Sequence, residues 1–186
     1  MYDAAFPQRR HHDTQTRMCL TQRRPFHRHR GRNTMSTASS HADDVNAILR
    51  IKFRYGELID RIIREPATAA ADARALGELL TDDVVFDYQA LLGVHQGREA
   101  ILKLFTEILP AGVDWMWHAF LNPIVEVNGD RAEMRVILLA LSVHKGQEQS
   151  APRYTYGRYI DQFVRTPGGW RWSHLLFCNE TRGVTP

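Results

Sequence analysis

The sequence predicts an α+β fold in which three N-terminal helices pack against a strongly curved antiparallel sheet, a cone enclosing one cavity. Three observations lead there. Ile48, Ile51, Tyr55, Leu58 and Ile62 recur at spacings of three and four, a single apolar helical stripe. The C-terminal half alternates apolar and polar residues, as in "EMRVILLALSVH" and "RYTYGRYIDQF". Two turn signals, Asn128-Gly129 and Pro167-Gly168-Gly169, fold that half into hairpins.

Taken in order, a first helix runs from Asp43 to about Arg64, with Asp43 and Asp44 suiting its N-terminus and Pro66 stopping it. The Ala-rich stretch 69–80 is a second helix. "DDVVFDYQA" supplies a strand over roughly 83–89. A third helix follows Gly97, with Ile101, Leu104, Phe105 and Ile108 as its stripe and Pro110 as its end. Only strands remain after it.

The 186 residues, 44% apolar and 24% charged, suit one globular domain with a real core. The longest apolar run, Val136 to Leu141, is far short of the ~20 residues that span a bilayer. The net charge of +3 hides an uneven distribution. Residues 1–34 carry eight arginines and two acids, whereas residues 35–186 are net acidic. We therefore separate a basic tail over 1–42, expected to be disordered, from a domain over 43–180 and a short tail over 181–186. The tail reads as a nucleic-acid arm, a transit peptide, or an over-extended reading frame before a native start at Met35. The core has no basic stripe interleaved with aromatics, so nucleic acid is expected, if at all, only through the tail. Two distant cysteines, Cys19 and Cys178, make no disulfide scaffold, and the chain reads as cytoplasmic. Phosphate loops, HExxH and GxSxG are absent from the sequence.

"HAFLNPIVEVNGDRA" and "GRYIDQFVRTPGGW", with "FRYGELID", "LLTDDVVFDY" and "GREAILKLF", resemble the SnoaL-like branch of the nuclear transport factor 2-like superfamily over about residues 44–178. That family includes dehydratases, polyketide cyclases, isomerases and non-catalytic binders, so the resemblance implies a fold more firmly than a reaction.

His118 stands at the histidine of the family's H-x-x-x-N pattern, where the resemblance implies a cavity-facing general base or acid. Imidazole suits that role because it titrates near neutral pH; the alternative is a core histidine bonded to backbone. Tyr55, on the apolar stripe, resembles the tyrosine that polarises a substrate oxygen in the dehydratases. Asp60 resembles its acidic companion, able to orient the imidazole; otherwise it pairs with Arg64 one turn on. His144 resembles a second cavity histidine, or is a solvated strand end. Asp161 and Tyr159 share a strand face that the resemblance makes concave, where Asp161 is, with Asp60, a candidate to orient the histidine. Gly157 and Tyr159 depart from the polar residues of scytalone dehydratase and Leu141 from the strand acid of bile-acid dehydratase, which argues against either specific activity. Arg158, on the opposite face, is expected to pair structurally. Trp117, Tyr88, Tyr159 and Trp172 are candidate walls for a ring-shaped ligand, and Asn122, before Pro123, is expected to be extended, either binding substrate or shaping the turn. The expected function is a lyase or isomerase without cofactor or metal, acting on a small, mostly apolar oxygenated molecule. A non-catalytic binding or dimerisation domain is the alternative. An apolar outer sheet face suits a homo-oligomer, a dimer or trimer, and no membrane partner is expected.

Overall fold

The structure, a computed structural model, describes residues 40–180. The tail over 1–39, Met35 and residues 181–186 lie outside the described residues.

Helix α1 (His41–Arg64) starts earlier than expected because Ser40 is its N-cap. The Ser40 side chain accepts from the Asp43 N–H and Asp43 reaches back to Ser40, a capping box. Asp44 instead turns inward, accepting from the Trp170 indole at 3.0 Å and from Arg165 at 2.6 Å. Its apolar stripe is buried as the spacing predicts, from Ile48 through Tyr55 and Leu58 to Ile62. Helix α2 (Ala69–Gly77) ends short of 80, because Leu80 opens β1 (Leu80–Asp87) by pairing with Trp172. A three-residue strand, β2 (Val94–Gln96), was not foreseen.

The third helical segment is interrupted. It begins as α3 (Arg98–Lys103), passes through a π turn at Leu104–Ile108, and ends as a short α4 (Leu109–Gly112). Pro110 does not end it: the missing N–H falls in the first turn of α4, where no acceptor is required of it. The wider π turn rotates the stripe, so Ile101, Leu104 and Phe105 are buried but Ile108 is exposed.

Strands β3 (Val113–Asn128), β4 (Arg131–His144), β5 (Arg153–Thr166) and β6 (Gly169–Asn179) form the expected antiparallel meander. The β3–β4 turn sits one residue later than expected, with Asn128 paired to Arg131 across Gly129-Asp130. Gly129 has φ +61°, the left-handed geometry that a first turn residue of this hairpin class requires. The sheet order is β2-β1-β6-β5-β4-β3. It is mixed, because β1 runs parallel to β6, which corrects the all-antiparallel expectation. No hairpin joins β1 to β6: α3, the π turn, α4 and the meander lie between them in the chain, so a parallel pairing is open to them.

The concave side is lined by aromatic rings. Tyr55, Phe86, Tyr159, Phe163, Trp172 and Phe177 are all buried there in edge-on and tilted contacts. A pocket among the described residues is a cleft lined by α1 and β3. Packing is tightest where β5 crosses β6. A Cβ on Gly157 would stand 2.3 Å from the Cys178 carbonyl oxygen and 2.7 Å from the Phe177 ring. Gly157→Ala should therefore lower stability by roughly 1–3 kcal/mol, read as a shifted denaturation midpoint, since a backbone oxygen cannot move aside as a side chain can.

Candidate active site: a histidine–aspartate dyad beside a buried lysine

The cleft has a volume of about 470 Å³ and lies between α1 and β3. Phe53, Gly56, Asp60, Arg61 and Arg64 line it from α1, and Trp117, His118 and Phe120 from β3. Gly56 brings these two elements close: the space where a Cβ would sit is 2.6 Å from the Phe120 ring and 3.6 Å from the His118 Cβ.

Asp60 and His118 meet at the cleft wall. The His118 ring Nδ1 lies 2.6 Å from Asp60 Oδ1, and the His118 backbone N–H donates to Oδ2 at 3.0 Å. One carboxylate thus holds both the ring and the strand that bears it. An Nδ1–H donated to Asp60 leaves the lone pair on Nε2, the tautomer a general base needs. Both side chains are 7% exposed. The alternative pairing of Asp60 with Arg64 does not form: the Arg64 Nε–H donates to the Asp60 backbone carbonyl at 3.1 Å. Arg61 is held by Asp72, whose carboxyl that contact keeps below its usual range.

Of the other expected site residues, Trp117 alone borders this cleft, half-exposed. Tyr55 and Tyr88 lie in the core with their hydroxyls 2.9 Å apart, and burial pushes both phenols up. The 140° of helix between Tyr55 and Asp60 accounts for this, since Asp60 faces β3 while Tyr55 faces the sheet interior. Trp172 is fully buried and its indole N–H donates to the His174 carbonyl at 2.9 Å. Ala140, opposite His118, shares the concave face with His144, but His144 lies four residues further along β4, ~13 Å away at strand rise. Burial and Arg153 hold its imidazole below its ordinary value. Asn122 is not extended as expected. It has φ +52°, left-handed, at the β-bulge between Leu121 and Ile124, and it is exposed. Asparagine tolerates that geometry, and the bulge outweighs the following proline. Arg158 pairs with Glu180 on the outer side, as expected.

Asp161 does not reach His118. It forms a fully buried ion pair with Lys52 of α1, Nζ to Oδ2 2.9 Å, both side chains 0% exposed. The Lys52 ammonium is ringed by Tyr159 at 3.7 Å, Trp172 at 4.3 Å, Phe120 at 4.8 Å and Tyr55 at 5.2 Å, measured to ring centroids. Burial lowers Lys52 to about 8 and raises Asp161 to about 6, each shift opposed by the partner's charge. Lys52, Gly56 and Phe120 were not singled out in the sequence. A signal existed: Lys52 interrupts the apolar stripe, four residues after Ile48 and two turns before Asp60. Phe120 is two residues from His118, hence on its face of the strand. Among the described residues, no group of three or more His, Cys, Asp or Glu is placed to hold a metal. Nor is any helix among them long and apolar enough to cross a membrane.

A curved sheet on three helices, with a histidine and an aspartate in contact at a cleft between helix and edge strand, defines a class of small α+β proteins. The chain belongs to the SnoaL-like domain family, whose profile matches residues 40–175. It is 35% identical over 107 residues, 56% of this chain and 71% of the relative, to the uncharacterized protein Rv2910c of Mycobacterium tuberculosis. A proposed scytalone dehydratase of Novosphingobium aromaticivorans has a similar structure, with TM-score 0.61 and 21% identity over 74% of this chain and 84% of that one. So has a hexachlorocyclohexane dehydrochlorinase, LinA type 2, with TM-score 0.62 and 19% identity over 74% and 85%. At those identities the two likenesses show the shared fold.

Proposed function

We propose that the protein is a cofactor-independent lyase or isomerase that moves a proton on a small, mostly apolar oxygenated molecule. The observation that carries this reading is the 2.6 Å contact between His118 Nδ1 and Asp60 Oδ1 at the wall of an open cleft. Nε2 would take a proton from a carbon next to a carbonyl, and the resulting imidazolium, held by Asp60, would return it to another carbon or to a departing hydroxyl. Names of structural relatives, a proposed dehydratase and a dehydrochlorinase, agree with elimination chemistry. The cytoplasm is the setting this reading adopts. Exchange of the α-hydrogens of a panel of cyclic β-hydroxyketones, followed by mass spectrometry in D2O, tests it. Exchange by the native protein and not by His118→Ala is expected; no exchange across the panel, with no other turnover of those ketones, would remove it.

A second reading, a non-catalytic module that dimerises, is favoured by one observation. The outer face of β3, β4 and β5 aligns Trp117 with Leu141 and Tyr154, Ala119 with Leu139 and Tyr156, and Leu121 with Ile137. Trp117, Leu121, Ile137 and Tyr154 there are between 38% and 58% exposed, an apolar row that a second copy of the chain would cover. A homodimer is compatible with either reading. Ile137→Asp with Tyr154→Asp should convert it to monomer in sedimentation velocity, and an unchanged sedimentation coefficient would exclude this face.

A further inference from the structure

Asp60 and His118 line the cleft, and the catalytic reading leaves the buried Lys52–Asp161 pair without a task. A buried ion pair is a poor stabilising device, because desolvating two charges offsets most of their attraction, and apolar replacements of both are commonly neutral or better. This pair is also incompletely satisfied. Nζ and Oδ2 are 2.9 Å apart, and among the described residues no other group hydrogen-bonds to Lys52 Nζ or to either Asp161 oxygen. What remains is a donor-rich ammonium and an acceptor-only carboxylate side by side, walled by aromatic rings.

We propose that Lys52 and Asp161 form an inner subsite that takes the hydroxyl of a phenol or enol, reached from the cleft when the Phe120 ring swings aside. A hydroxyl has one proton to give and lone pairs to receive, so it donates to Asp161 and accepts from Lys52 at once. The neutral hydroxyl is selected over a carboxylate or phosphate, because Asp161 already balances Lys52 and a second anion would stand uncompensated in a buried site. Tyr159 and Trp172, whose ring centres lie 3.7 and 4.3 Å from Nζ, supply walls for a flat ring.

Phe120 is the shared partition. It lines the cleft on one side and lies 4.8 Å from Nζ on the other, with the His118 ring stacked 6.0 Å away. It stands on β3, an edge strand paired only with β4. Its ring rests on the bare backbone of Gly56, where a methyl group would push it away. A ligand whose hydroxyl is held by Lys52 and Asp161 would thus extend outward past the Phe120 position toward His118. The proposal rests on the reading of the cleft as the active site and adds the substrate class, a hydroxylated ring.

The test is binding of 2-naphthol and of naphthalene to the full-length protein, followed by fluorescence. The hydroxyl should strengthen binding roughly tenfold, the worth of two new hydrogen bonds after desolvation. In the paired variant Lys52→Met/Asp161→Leu, which leaves no orphan charge, that preference should vanish while naphthalene still binds. Phe120→Ala and Gly56→Ala should both speed association. No preference in the native protein, or a preference that persists in the paired variant, overturns the subsite. His118→Ala should keep the preference even though it slows proton transfer; this separates failure of the subsite from failure of the catalytic reading.

Discussion

His118→Ala should lower turnover of a confirmed substrate by roughly 10²- to 10⁴-fold, the usual contribution of a positioned acid–base group. The fold should survive. Asp60 keeps the backbone N–H of His118 as a partner after the imidazole is gone, at 3.0 Å. The loss of stability is then about that of one charged hydrogen bond, roughly 1–3 kcal/mol, visible in denaturation but far from unfolding. Asp60→Asn is the informative companion. It retains the shape but can no longer hold the Nδ1–H tautomer as a carboxylate does, so turnover should fall with a small change in KM. If Asp60→Asn and His118→Ala each leave turnover unchanged, the dyad is a structural clasp between α1 and β3 and the catalytic reading is lost.

Asp161→Asn should be the most destabilising single change among the residues discussed, at roughly 3–5 kcal/mol, because it leaves the Lys52 ammonium buried without a counter-charge. Lys52→Met/Asp161→Leu should be as stable as the native protein or more so, measured by chemical denaturation. The pH dependence has a definite sign. Asp161 is raised by burial, so its contribution to stability is present at low pH and is lost as pH rises through about 6. Lys52 is lowered by burial, so its contribution is present at high pH and is lost as pH falls through about 8. Between about 6 and 8 both groups are charged at a cost. The advantage of the paired variant over the native protein should be greatest in that window and shrink on either side. An advantage independent of pH would mean the pair is not ionised inside the protein.

Much of the architecture was legible locally. The stripe from Ile48 to Ile62 specified α1 because a helix repeats every 3.6 residues, and the alternation in β4 and β5 specified strands because their side chains repeat every two. Gly129 and the Pro167-Gly168-Gly169 turn located both hairpins because few residues accept those backbone angles. What failed did so where a neighbour outside the local window intervened. The π turn exposed Ile108, a bulge turned Asn122 left-handed, and β1 joined β6 in parallel.

The candidate site divides in the same way. His118 and Asp60, 58 residues apart, were each singled out by the family resemblance of their own segments, and an imidazole with a carboxylate suits proton transfer. That they touch was decided by the approach of α1 to β3 across Gly56. Asp161 was recognised as inward-facing and assigned to the histidine; the tertiary structure gave it to Lys52 instead, because the strand position facing that helix turn holds it about two turns from Asp60. Periodicity determines which face a side chain takes. Which charge it meets on that face depends on the register between elements distant in the chain, and only their packing decides it.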